Sequence, residues 1–187
     1  SLEKIKQVVD VRKGEIMFGL NMVVNKGRTI FIADTSVHEY PTSEEMAEIA
    51  ISAARVVRLF GIDPKIAFVS HSTFGQPLTS RTKHIRTAVD ILKDKQVNFE
   101  FDGDMQPDVA LNPDYEELYP FAKIVGKANI LIMPGQHSAA ISYKLMKTLG
   151  DTKVIGPLLI GLGLPIEIAP LRSSTSEIIK SGFHFKD

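Results

Sequence analysis

Short apolar runs rich in β-branched residues alternate with segments of helical periodicity along nearly the whole chain, and this alternation limits the possible folds more than any other feature. The first signals are strands. Met17 to Val24 and Thr29 to Ala33 flank Asn25-Lys26-Gly27-Arg28, whose Asn and Gly tolerate the positive φ of a tight hairpin. Thr42 with Glu45 then makes a capping box behind Pro41, and Met46, Ile49, Ala50, Ala53, Val57 and Phe60 recur at helical spacing until Gly61. Lys65 to Ser70 reads as a buried strand, and Ser80 opens a helix with Ile85, Ala88, Val89 and Leu92 on one face. Val97, Phe99 and Phe101 alternate as a strand ending at Asp102-Gly103.

Asn112-Pro113 predicts a helix start, Ala128 to Met133 a strand stopped by Pro134-Gly135, and Ser138 to Leu149 a helix ended by Gly150. Lys153 to Ile155 and Pro165 to Ala169 supply the last strand candidates, before a short helix from about Ser174. The expected fold is α/β: a mainly parallel sheet sandwiched by helices, with the antiparallel hairpin near the N-terminus at one side. No repeat, low-complexity tract or linker divides the 187 residues, so they form a single domain or part-domain.

Charge and composition narrow the function. Lys plus Arg and Asp plus Glu both number 22, so no global field gathers nucleic acid or anionic membrane, and a charged ligand needs a local site. The absence of cysteine excludes disulfides, thiolate metal sites and a cysteine nucleophile. No apolar run approaches the roughly 20 residues that span a bilayer, and the N-terminus lacks a signal-peptide pattern. The expected location is the cytoplasm.

In open α/β sheets, ligands bind beyond the carboxyl ends of the strands. The loop Ser70-His71-Ser72-Thr73-Phe74-Gly75-Gln76-Pro77 offers hydroxyls, a histidine and a glycine before a helix carrying Arg81, Lys83, His84 and Arg86, which suits an anion. Ordinary loop composition explains it as well. Asp102-Gly103-Asp104-Met105-Gln106-Pro107-Asp108 clusters carboxylates that could supply a general base, but it lacks the EF-hand ligand series, so no metal is expected. Pro134-Gly135-Gln136-His137-Ser138 starts a helix that Ser138 could cap. Ile155-Gly156-Pro157-Leu158-Leu159-Ile160-Gly161-Leu162-Gly163 brings backbone close to its neighbour, either to line a pantetheine arm or simply to pack tightly. The histidines His38, His71, His84, His137 and His184 show no metal-ligand spacing. The adjacency of Ser70 and His71 does not by itself imply a nucleophile system.

At these loops the chain resembles the phosphate acetyl/butyryltransferase family over nearly its whole length. In that family Ser-x-Ser-Thr-x-Gly, Asp-Gly-Glu-Leu-Gln-x-Asp and Ile-Gly-Pro-Ile-x-x-Gly segments line an acyl-CoA and phosphate cleft. The resemblance therefore implies that Ser70, Ser72, Thr73, Gly75, Asp102, Gln106, Gly156, Pro157 and Gly161 contact acetyl-CoA or a related acyl-CoA. More closely, Phe31-Ile32-Ala33-Asp34-Thr35, Val57 to Lys65 and Ser70 to Gly75 resemble the C-terminal domain of large bacterial NADP-dependent malic enzymes. There, a malic enzyme part that uses NADP and a divalent metal precedes a transferase-like domain thought to sense acetyl-CoA.

The resemblance implies a piece of a larger, oligomeric protein in which this domain regulates malate oxidation. The alternative is a working acyltransferase that interconverts acyl-CoA and acyl-phosphate. Active transferases carry a Ser-Arg pair with an acid six residues after the Arg. Aligning that acid with Glu177 puts the pair at Pro170-Leu171, with Arg172 one position late, and Phe74 stands where a basic residue is common. Arg172 and Glu177 are thus the expected catalytic residues if any chemistry persists, and the departures favour acyl-CoA as a signal over acyl-CoA as a substrate.

Overall fold

The computed structural model describes residues 4–5, 8–164 and 166–168. The expected helix from Ser174 and the expected site residues Arg172 and Glu177 lie outside them, as do Pro165 and Ala169 at the ends of the last expected strand.

Local signals close the first half. β1 (Phe18–Asn25) and β2 (Arg28–Ala33) form the hairpin, with Lys26 at φ 47° and Gly27 at φ 81°. Two left-handed residues in succession give the turn whose twist matches that of the strands. The next element is helix α1 (Ser43–Leu59). The Thr42 side chain accepts from Glu45 N at 3.1 Å and the Glu45 carboxylate accepts from Thr42 N at 2.7 Å, completing the capping box. After it come β3 (Lys65–Val69), helix α2 (Ser80–Asp94), β4 (Glu100–Met105) and the short helix α3 (Pro107–Leu111). A 3-10 turn (Pro113–Leu118), β5 (Ile130–Ile132), helix α4 (Gln136–Leu149), β6 (Thr152–Ile160) and β7 (Ile166–Glu167) complete the described elements.

The strands form one sheet in the order β4-β3-β5-β2-β1-β6-β7. β4, β3, β5 and β2 are parallel, whereas β1 runs antiparallel to both β2 and β6, and β7 antiparallel to β6. The hairpin therefore does not sit at one side. It joins the parallel half of the sheet to an antiparallel half, because β6 pairs with the free edge of β1.

Helices cover both faces. On one, Met46, Ile49, Ala53 and Val57 of α1 and Ile85, Val89 and Leu92 of α2 pack on Phe18, Phe31, Ile66, Phe68 and Ile130. Each of the larger of these buried side chains stabilises the fold by about 1.5–3 kcal/mol. On the other face, Val23, Ile32, Ala67, Val69, Met105, Val109, Ile124 and Leu131 form a second cluster closed by Ala139 of α4.

Several element boundaries differ from the sequence pattern. The strand expected over Val97 to Phe101 starts at Glu100 and runs through Asp102-Gly103 to Met105, because register with β3 decides it: Lys65 pairs with Glu100 and Val69 with Met105. Asn112-Pro113 starts a 3-10 turn, with Asn112 Oδ1 accepting from Asp114 N at 3.1 Å. The strand expected to stop at Ile155 continues to Ile160, accommodating Gly156-Pro157 where the β1–β6 register shifts between Leu20 and Met22. The start of α2 is as expected, with Ser80 its first residue and Thr79 its cap.

Candidate functional site

The carboxyl ends of β2, β3, β4, β5 and β6 share one edge of the sheet, since β6 is antiparallel to β1 and so runs with the parallel set. Asp34, Ser70, Gln106, Met133 and Gly161 follow these strands directly.

The loop after β3 and the end of β4 are bound into one unit. Ser70 N donates to Met105 O at 2.9 Å, Phe74 N to Asp104 O at 2.6 Å and Gln106 N to Thr73 Oγ1 at 3.2 Å. Beneath the loop the Asp104 side chain is fully buried. Its carboxylate accepts a very short hydrogen bond from Ser72 Oγ and another from Gly75 N at 3.0 Å. Phe74 (φ 50°) and Gly75 (φ 77°) make the tight bend that aims the Gly75 amide inward. Ser72 is itself buried, so Ser70, at 8% exposure, and Thr73, at 7%, bring the loop's hydroxyls nearest to solvent.

The expected site residues thus divide. Ser70, Ser72, Thr73, Gly75 and Gln106 come together. Asp102 turns elsewhere, its carboxylate accepting from Gly103 N and Lys123 N, each at 2.9 Å, and so pinning the loop before β5. Gly161 lies at the same sheet edge, where an added Cβ would sit 2.1 Å from Ile16 O. Gly156 and Pro157 stand mid-strand, with a Cβ on Gly156 2.8 Å from Leu20 O. Close approach to β1 at Gly156, and to the residues just before β1 at Gly161, is therefore sufficient reason for both glycines.

The three carboxylates of the acidic segment part company: Asp102 to backbone, Asp104 to Ser72 and Gly75, and Asp108 to the Tyr115 hydroxyl at 3.1 Å. That last contact, with Asp108 as first cause, raises the Tyr115 pKa above its ordinary value. Among the described residues no group of three or more His, Asp or Glu side chains is placed to hold a metal.

One site feature escaped the sequence. Asp34, 1% exposed, accepts five hydrogen bonds: at Oδ1 from the backbone N–H groups of Gly19 (2.8 Å), Ser36 (2.9 Å) and Val37 (3.2 Å), and at Oδ2 from His38 N (2.8 Å) and His38 Nδ1 (2.7 Å). It locks the loop after β2 and orients the His38 ring at the ligand edge. Next to it, Gly19 leaves room for Ser36, whose Oγ would be 2.6 Å from an added Cβ. Among the described residues, Thr35 Oγ1 and both polar atoms of Asn21 are buried without a hydrogen-bond partner. Of the other histidines, His84, His137 and His71 are structural or peripheral, and His184 lies outside the described residues. His84 joins Ser43 and Pro41 O, and His137 meets Glu39 at 3.0 Å. His71 Nδ1 lies 3.5 Å from Ser70 Oγ, a weak contact at most.

Residues 1–183 match the family model described as Phosphate acetyl/butaryl transferase. The chain belongs to the phosphate acetyl/butaryl transferase family. Within it, the chain is 43% identical over 179 residues to an NADP-dependent malic enzyme of Rhizobium meliloti (strain 1021), covering 96% of this chain and 24% of that protein. It is 33% identical over 168 residues to a phosphate acetyltransferase of Bacillus subtilis (strain 168), covering 89% of this chain and 51% of that enzyme. Among solved structures, a phosphotransacetylase from Streptococcus pyogenes superposes with a TM-score of 0.89 at 30% identity, covering 97% of this chain and 56% of the other. The chain thus spans about a quarter of the malic enzyme and about half of the phosphate acetyltransferases, and its α/β fold is that of the phosphate acetyl/butaryl transferase family. No helix among the described residues is long and apolar enough to cross a membrane.

Proposed function

We propose that this chain is the acyl-CoA-binding regulatory part of an NADP-dependent malic enzyme. On this proposal, oxidative decarboxylation of malate to pyruvate belongs to a preceding part of the protein, which uses NADP and a divalent metal. The whole works as a cytoplasmic homo-oligomer.

The contact between Ser72 and Asp104 carries the proposal. Transfer of an acyl group to or from phosphate requires a loop that presents donors to anionic oxygens as charge develops. Here the Ser72 O–H, one of the loop's donors, is committed to a carboxylate. An acyl-CoA depends far less on that spot. Its long pantetheine arm is held by apolar contact and backbone polar groups, with a few placed hydrogen bonds fixing orientation. Ser70, Gly75, Gln106 and Gly161 at the sheet edge are the residues we assign to it, with Ser72, Thr73 and Asp102 shaping the loops and Gly156-Pro157 keeping β6 close to β1. Higher identity to the malic enzyme than to the acetyltransferase supports the same choice.

A working phosphate acyltransferase, with Arg172 and Glu177 as its catalytic residues, is the second candidate, favoured by the 0.89 TM-score to a phosphotransacetylase. The full-length protein separates the two. A regulatory domain predicts that Ser70→Ala weakens inhibition of malate oxidation by acetyl-CoA while uninhibited turnover is unchanged. Equal loss of both would count against it.

A further inference from the structure

Of the three long helices, α4 is the least covered by its own chain. It buries one of its 14 residues fully, Ala139, whereas α1 buries nine of 17. Its inner side packs through Ala139, Tyr143 and Met146. On the other side Ile141, Leu145 and Leu149 recur every four residues and are 58%, 53% and 81% exposed. A helix that is apolar on both sides belongs between two layers, and the described residues supply only one. We infer that two copies of this chain associate through this outer face of α4, the helices antiparallel about a twofold axis at Leu145.

The face carries no charge. At about 100° per residue, Ser138, Ile141, Ser142, Leu145, Thr148 and Leu149 fall within about 60° of the line through Leu145, and Lys144 and Lys147 fall outside it. The Lys144 ammonium is drawn further away, over the Tyr143 ring at 5.9 Å. Nor do the hydroxyls of the face need water. Ser138 Oγ donates to Gly135 O at 2.7 Å, Ser142 Oγ to Ser138 O at 2.7 Å and Thr148 Oγ1 to Lys144 O at 2.8 Å. Each hydroxyl is bonded to its own helix and stays so when the face is covered. Association therefore removes three large aliphatic side chains from water and strips no group of a hydrogen bond it requires.

The order of residues in the face selects a second copy as the partner. A twofold contact needs a patch that is complementary to itself. Outward from Leu145 in either direction stand a hydroxyl residue three positions away, Ser142 or Thr148, and an aliphatic one four positions away, Ile141 or Leu149. Rotation about an axis through Leu145 therefore sets Leu145 on its own counterpart and Ile141 against Leu149 of the partner subunit. With no charge near the axis, no like charges meet there. The inference rests on the homo-oligomer proposed above, to which it gives a contact, and not on what the ligand edge of the sheet binds.

The chain has no cysteine, so single introduced cysteines report the contact directly. Under mild oxidation Leu145→Cys should give a disulfide-linked dimer. Ile141→Cys and Leu149→Cys should each cross-link poorly alone, because like positions lie about 12 Å apart along the two helices, and efficiently when the two variants are mixed. Sedimentation velocity should show a dimer for the wild-type chain. Leu145→Glu, which sets two carboxylates together on the axis, should weaken it about a hundredfold or more at unchanged circular dichroism. Leu59→Glu, at a site 83% exposed on α1, should leave it intact. A dimer that survives Leu145→Glu, or Ile141→Cys cross-linking as well alone as with Leu149→Cys, overturns this contact while the homo-oligomer stands. A monomeric wild-type chain overturns both and leaves the face to another part of a longer protein.

Discussion

Ser72 and Asp104, 32 residues apart in sequence, meet in the interior where the Ser72 hydroxyl donates to the Asp104 carboxylate. The same carboxylate accepts from Gly75 N, so one buried side chain fixes both sides of the loop that crosses the ligand edge of the sheet. The loop's shape is therefore set from behind, by β4, more than by its own residues.

Replacing Asp104 tests that dependence. Asp104→Ala leaves the Ser72 hydroxyl and the Gly75 amide buried without an acceptor, and should lower stability by about 1–3 kcal/mol. Asp104→Asn should cost less, because its carbonyl can still accept from Gly75 N while the Ser72 hydroxyl rotates to accept from the amide. Urea unfolding of the two variants gives the order, and equal midpoints would contradict it.

Asp34 predicts a larger loss. Asp34→Ala strips the acceptor from the backbone N–H groups of Gly19, Ser36, Val37 and His38 at once. Stability should fall by about 3 kcal/mol or more, against about 1 kcal/mol for loss of the exposed Thr42 cap in Thr42→Ala. Denaturant midpoints for the pair check the ranking.

Asn21 predicts the opposite sign. Its amide is buried in a central strand with no partner among the described residues, and Asn21→Leu replaces it with an apolar group of similar size. An unmatched polar group costs about 1–3 kcal/mol, so the variant should melt higher than wild type. A lower melting temperature would mean that the amide is needed by the fold.

What the sequence made legible was local. Asn25-Lys26-Gly27-Arg28 and the Thr42–Glu45 box each carry their reason within a few residues, and both stand in the structure as expected. Val97 and Phe99 alternate like a strand yet precede one, because pairing with β3 decides where β4 begins. Gly156-Pro157 has the composition of a loop but lies within β6, since an irregularity in β1 absorbs it. At the site, the hydroxyl loop was recognisable, but not which of its hydroxyls is already engaged, because the partner comes from another strand. Asp34 stands in the sequence as a single acid after an apolar run. Nothing nearby in sequence shows that Gly19, 15 residues earlier, would donate to it.

The most direct test of the proposed function uses one preparation and two measurements: titration of acetyl-CoA into the purified protein, and its rate of interconverting acetyl-phosphate and acetyl-CoA. A regulatory acyl-CoA domain should bind acetyl-CoA with measurable heat and show no turnover above the uncatalysed rate. Rapid turnover, or no binding at all, would contradict it.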